Sequence, residues 1–224
     1  ETRTMIFKRK RYWGKISLSL ARIDLQRYRL QIWRGKPRRV GWILSHTNAQ
    51  AAINAGPFLP QYQPWGFFKS EGKIVQAHLY RRSFDGVFWG EKQRIGISRA
   101  RYWYPRKELF AFQSSPVLID RGTKAPLPKR PWSVDRRSAL CIDKKGRLLM
   151  MTTKGFFNGL SFYELRLLMA KKSKQGGLEC QAGINLDGGS SAQWGVRQGY
   201  SQEIISGVEA TPLYLIAIPQ KKQR

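Results

Sequence analysis

Ser138-Ala139-Leu140-Cys141-Ile142-Asp143-Lys144-Lys145-Gly146-Arg147-Leu148-Leu149-Met150-Met151 places two short apolar runs on either side of a polar four-residue turn. Residues 138–142 and 147–151 are too short for helices and read as two strands of a hairpin. Gly146 can supply the left-handed conformation the turn needs, and Asp143 reads as a turn residue. Working outward, residues 16–20 and 28–32 alternate apolar and polar side chains and predict half-buried strands. Further short strands are expected at 74–79, 87–89, 94–99, 117–120, 180–186 and 212–218. Gly35-Lys36-Pro37 breaks the pattern after residue 32, and residues 40–54 are ambiguous, with a short helix expected over 47–52. One helix is well signed. Ser161 and Glu164 form a capping box, Phe162, Leu165, Leu168 and Met169 make an apolar stripe, and Lys171, Lys172 and Lys174 suit the negative end of the dipole before Gly176 and Gly177. Many strands with few helices predict an α+β fold, a single domain with a mostly antiparallel mixed sheet. A basic N-terminal extension is expected at 1–15, the domain at 16–218 and a basic tail at 219–224.

The chain has 224 residues and 42% hydrophobic content, enough for one sizeable core, and no apolar run is long enough for a transmembrane helix. Its net charge of +27 implies an anionic partner, such as a phosphate-rich glycan, an envelope polymer, an acidic lipid surface or nucleic acid. Residues 99–106 interleave arginine with aromatics, as single-stranded nucleic-acid binders do, so non-specific nucleic-acid binding through surface charge stays open. Cys141 and Cys180 lack the spacing of a zinc site. They are read either as reduced buried thiols or, if the chain is exported, as a disulfide. The first residue is Glu1, so periplasmic or extracellular residence is expected if a removed leader preceded it.

Several polar segments emerge from apolar runs. In Asn185-Leu186-Asp187-Gly188-Gly189-Ser190-Ser191, glycines and hydroxyls can form an anion-binding turn beside the Asp187 carboxylate, and the same residues also make an ordinary capped turn. Asn54 before Gly56 and Gln113 before Ser114-Ser115-Pro116 have the same two readings. Either Arg136 or Arg137 could grip a phosphate through its planar fork. Glu71, in an aromatic-rich loop region, is the candidate second carboxylate. His46 and His78 have no ligand-spaced partners, so no histidine-based metal centre is expected.

Residues 51–58, Gly66, residues 113–120, 137–140, 143–146 and 185–191 occur in one order that resembles the phosphodiester glycosidase domain family, over roughly residues 16–218. The resemblance implies a hydrolase that cleaves the anomeric bond of a sugar 1-phosphodiester in an anionic glycan or glycolipid. It implies Asp187 and Arg137 as catalytic groups, with Asn54 and Asn185 lining the pocket and Gly56, Gly188, Gly189, Ser190 and Ser191 shaping it. Asp187 would face the anomeric carbon, while Arg137 and the 188–191 N–H and hydroxyl groups would face the phosphate. Pro57 and Ser190 depart from the family pattern, the latter where some members carry a third glycine. No cofactor is implied, although calcium or magnesium bridging Asp187 and phosphate stays open. A non-catalytic anionic-glycan-binding module and a nucleic-acid-binding protein are the alternatives.

Overall fold

The computed structural model describes residues 2–8, 13–82, 84–154 and 159–220, with residues 2–8 and 13–15 described through their backbone. Part of the tail expected at 219–224 lies outside the described residues. Strands dominate, and every strand pair described is antiparallel. They form one seven-stranded sheet and two five-stranded sheets. All three contribute to one core, where Leu140, Ile184 and Ile23 meet Ile53, Trp194 and Leu215 and also Phe68, Phe88 and Phe112. Alternation explains this arrangement: each strand sends every second side chain inward.

The expected hairpin forms as Ser138–Asp143 and Leu148–Thr153, with Gly146 at φ 74°. Asp143 is the turn residue, accepting from the Lys145 and Arg147 amides and from the Arg147 guanidinium. The capping-box helix spans Phe162–Ala170, and its inner face covers the outside of the seven-stranded sheet through Leu165, Leu168 and Met169. The lysines lie beyond its last turn, with Lys171 as the C-cap. A disulfide joins Cys141 to Cys180 between neighbouring strands, settling the choice between bonded and reduced thiols.

Three local expectations are corrected. The short helix is Val40–His46 rather than 47–52; Val40, Ile43 and Leu44 form its buried face, and the Val40 amide donates to Gln193 Oε1 at 2.8 Å. Ala51–Asn54 is instead a fully buried strand inside a five-stranded sheet. A short run buried on both faces has no alternation to distinguish it from a helical segment. Tyr28–Arg38 continues through Gly35-Lys36-Pro37 as an edge strand. Its register against Thr211–Pro219 shifts between Thr211 and Leu213, opposite these residues, so the missing Pro37 N–H disrupts no regular ladder. Within the basic extension expected at 1–15, Thr2–Lys8 pairs with Trp13–Ile23 at the edge of the large sheet.

Candidate active site

Strand ends from two sheets converge at one place. Asn185 ends the Cys180–Asn185 strand opposite Ala139, so residues 135–137, just before Ser138, lie beside residues 186–189. Asn54 ends Ala51–Asn54 opposite Tyr214, which brings the segment before Thr211–Pro219 to the same region. Two backbone bonds tie the loop to both sheets: Leu186 N–H to Ser138 O at 2.8 Å and Asp187 N–H to Ala55 O at 3.2 Å.

The resulting open cleft, about 910 Å³, is lined by Asp135, Arg137, Asp187, Gly188 to Ser191 and Glu209, with Phe58, Tyr62 and Trp65 among its wall residues. Tyr62 and Trp65 are 49% and 43% exposed, surfaces suited to stacking on a sugar ring. Among these lining residues three carboxylates face one guanidinium, so the cleft reverses the chain-wide excess of positive charge.

Asp187 is half-buried. Burial raises its carboxyl above the ordinary aspartate range, and the nearby Glu209 charge adds to this, while hydrogen bonds from the Ser191 hydroxyl and Gly188 N–H pull the other way. Asn54 is fully buried and spent on positioning. Its Nδ2 donates to Asp187 O at 2.7 Å, and its Oδ1 accepts from Gln193 N at 3.0 Å. Asn185 is buried behind the loop, donating through Nδ2 to Ser115 O, while its Oδ1 has no hydrogen-bond partner among the described residues. Neither asparagine is among the residues lining the cleft.

Arg137 lies at the cleft with a limited reach. Nε donates to Leu160 O and Nη2 to Ser133 O, both at 2.9 Å, and the guanidinium lies 3.9 Å from the Phe162 ring centroid. Nη1 lies 3.6 Å from where a side chain on Gly188 would begin. Two of the five N–H donors of Arg137 are thus committed, and the Nη1 donors are left for a ligand. Desolvation lowers the Arg137 pKa, and the Asp135 charge opposes this. Arg136 turns away to the carbonyls of Ala192 and Ser206.

The expected cradle of free amides in residues 188–191 is not formed in full. Gly189 N–H donates to Arg136 O and Ser191 N–H to Gly188 O. Gly188 N–H and the Ser191 hydroxyl go to Asp187, and the Ser190 hydroxyl to Glu209. Around the 3₁₀ turn over Gly189–Ser191, five of the donors that sequence assigned to phosphate are thereby committed, and the Ser190 amide stands outside this set. The glycines still have steric reasons: Gly189 sits at φ 58°, and a Cβ on Gly188 would lie 2.8 Å from Arg136 O.

Besides Asn54 and Asn185, three predicted residues are not among those lining the cleft: Glu71, Gln113 and Gly56. Glu71 sits at φ 50° in the turn between Phe68–Ser70 and Lys73–Gln76, where Gln31 Nε2 donates to its Oε1. Gln113 is a buried clamp. Its Oε1 accepts the Phe67 and Tyr80 amides, and its Nε2 donates to the Tyr80 and Phe84 carbonyls. Gly56 is needed beside it, because a Cβ there would meet Gln113 O at 2.4 Å. Sequence reasoning missed Asp135 and Glu209, which stand in no motif; only adjacency to Arg136-Arg137 could have suggested the former. The 99–106 segment is partly committed to structure, since Arg99 pairs with Asp85 and Asp120, and Trp103 is buried against Phe67.

The family profile for phosphodiester glycosidase matches residues 47–211. No curated protein matches in sequence. Among solved structures, the chain is similar to the catalytic domain of zebrafish N-acetylglucosamine-1-phosphodiester alpha-N-acetylglucosaminidase, auto-inhibited by its pro-peptide. The identity is 15% and the TM-score 0.74, over 98% of this chain and 83% of that one. A Synechocystis protein aligns at 13% identity and TM-score 0.69, over 97% of this chain and 61% of that one. An exported protein of Burkholderia pseudomallei aligns at 12% and 0.64, over 92% and 74%. At these identities the likeness to solved structures carries the fold alone.

Proposed function

The chain belongs to the phosphodiester glycosidase family, and on that premise we propose that it is a hydrolase cleaving the anomeric C–O bond of a sugar 1-phosphodiester in an anionic glycan or glycolipid. The observation that carries the reading is the placement of Asp187 with Asp135 and Glu209 in an aromatic-walled cleft on an otherwise strongly basic chain. As the bond to phosphate lengthens, positive charge develops at the anomeric carbon and on the ring oxygen, and a cleft rich in carboxylates stabilises it. Asp187, fixed by Ser191, Gly188 and Asn54, is the group assigned to that charge. Water forms a bond to the carbon and passes its proton to a carboxylate of the cleft, and the C–O bond breaks with its electron pair going to the departing phosphate monoester. That leaving group is already a good anion, and Arg137 is the cationic donor among the residues lining the cleft that is assigned to it. The +27 charge favours capture of a polyanionic substrate from solution. The Cys141–Cys180 disulfide supports residence in an oxidising compartment, periplasmic or extracellular.

The test is sugar release across a panel of sugar 1-phosphodiesters, including nucleotide sugars and alkyl glycosyl phosphates, with wild type and Asp187→Asn. Wild type should release sugar, and the variant should lose about 10²–10⁴-fold in kcat. Tight binding without release would make the chain a glycan-binding module. An Asp187→Asn variant as active as wild type would remove Asp187 from the chemistry.

A further inference from the structure

The three cleft carboxylates differ in what they already hold. Asp135 Oδ1 accepts from the Arg136 amide. Asp187 receives the Ser191 hydroxyl and the Gly188 amide. Glu209 receives the Ser190 hydroxyl on Oε2 at 2.8 Å, while Oε1 has no hydrogen-bond partner among the described residues. The main chain of Glu209 is fixed on both sides, as are those of Asp187 and Asp135. The Glu209 amide donates to Ser190 O at 3.1 Å, and its carbonyl accepts Gln193 Nε2 at 2.9 Å. Gly207, two residues before it, lets the chain approach closely, since a Cβ there would lie 2.7 Å from Ser190 O. Glu209 is thus anchored to the turn that follows Asp187, and its charge reaches the Asp187 carboxyl. The charged groups sharing its cleft are Asp187, Asp135 and Arg137, with Arg39 donating to the carbonyl of adjacent Val208.

We infer that Glu209 is the second carboxylate of the reaction and takes the proton of the attacking water, with the Ser190 hydroxyl as its positioning group. The inference rests on the glycosidase reading above. In the step, the water oxygen bonds to the anomeric carbon and its proton passes to Glu209 Oε1. The carbon–oxygen bond to phosphate breaks, and the phosphate monoester leaves with the electron pair. Glu209 suits this role because it is exposed, has an open oxygen and its charge reaches Asp187. Asp187 is more buried and already hydrogen-bonded, and Asp135, also exposed and with no hydrogen-bond partner on Oδ2 among the described residues, acts instead on Arg136 and Arg137. Ser190, at a position where some family members carry glycine, gives this chain a side-chain latch on its base. Glu209 takes the place that the sequence assigned to Glu71.

The experiment compares wild type, Glu209→Gln, Glu209→Ala, Ser190→Gly and Asp187→Asn on the best substrate of the panel, with pH profiles and thermal melts. Glu209→Gln should melt like wild type and lose about 10²–10⁴-fold in kcat with little change in KM. It should lose the acid limb of the pH profile, and Glu209→Ala, which leaves room for a small carboxylate, should regain part of its rate with added formate. Ser190→Gly should lose up to about 10²-fold in kcat through misplacement of the base and keep the acid limb. A Glu209→Gln variant with wild-type kcat, beside an inactive Asp187→Asn, overturns the inference and leaves the glycosidase reading standing. A loss of rate with no formate rescue and an unchanged pH profile assigns Glu209 to structure and also overturns it. A wild type inert on the whole panel takes down both. Should Glu209→Gln fail to fold, Glu209→Asp decides: a shifted acid limb with a reduced rate supports the base, and an unchanged limb refutes it.

Discussion

Removing the Cys141–Cys180 bond should lower stability by an amount fixed mainly by loop length. The cysteines are 39 residues apart, and closing such a loop in the unfolded chain lowers its entropy by about 13 cal/mol/K, or about 4 kcal/mol near room temperature. For a chain of this size that corresponds to a fall in Tm of about 8–16 °C. Both sulfurs are buried, at 0% and 3% residue exposure, so reductant reaches them only when the sheet opens. Substitution is therefore the cleaner perturbation. Cys141→Ala already lacks the bond, and any further loss in Cys141→Ala/Cys180→Ala measures packing in the core beneath the Phe162–Ala170 helix. Urea or thermal melts of the three proteins give the loss of the bond with the Cys141 sulfur in one step and the packing of the Cys180 sulfur in the other. The bond joins Cys180, at the start of its strand, whereas the cleft loop follows Asn185 at the other end. Turnover well below the melting range should therefore stay near wild type while heat inactivation moves to lower temperature. A loss below about 1 kcal/mol in Cys141→Ala would show that the unfolded chain is not constrained in this way.

Asp187→Asn should stabilise the fold at neutral pH. The Asp187 carboxyl titrates above its unfolded value, so the folded state holds more protons between the two pKa values, and stability falls as pH rises through that window. The gain should be present at about pH 7 and disappear below the ordinary aspartate range, as read by paired melts; a gain that persists in acid would contradict the assignment. Arg137→Ala should cost about 2–4 kcal/mol in urea melts besides any loss of turnover, because it strips charge-assisted bonds from the Leu160 and Ser133 carbonyls. An equally stable variant would show that those bonds contribute little. Gly56→Ala should destabilise by about 1–3 kcal/mol, since its Cβ would meet Gln113 O at 2.4 Å; a wild-type melt would mean that the strand gives way freely.

The hairpin at 138–153, the helix capped by Ser161 and the alternating strands were legible because the determinants of each lie within a few residues of one another, as side-chain periodicity, a capping pair or a turn glycine. The loop after Asn185 was legible in the same way, as a polar glycine-rich break after an apolar strand. Where local pattern is silent, reading failed: Ala51–Asn54 is buried on both faces and shows no period, and Tyr28–Arg38 survives its proline because it lies at an edge. Asn54 and Gln113 were singled out correctly as unusual polar residues, yet packing assigns both to backbone positioning, since a buried amide must satisfy its donors and acceptors wherever it sits. The carboxylates that accompany Asp187 in the cleft were beyond the sequence. Asp135, Asp187 and Glu209 come from separate segments, and which of 14 acidic residues share a cleft depends on which strands are neighbours. Strand order is set by long-range burial of the common core, so the tertiary structure alone brought Glu209 to Asp187 and left Glu71 on a distant turn.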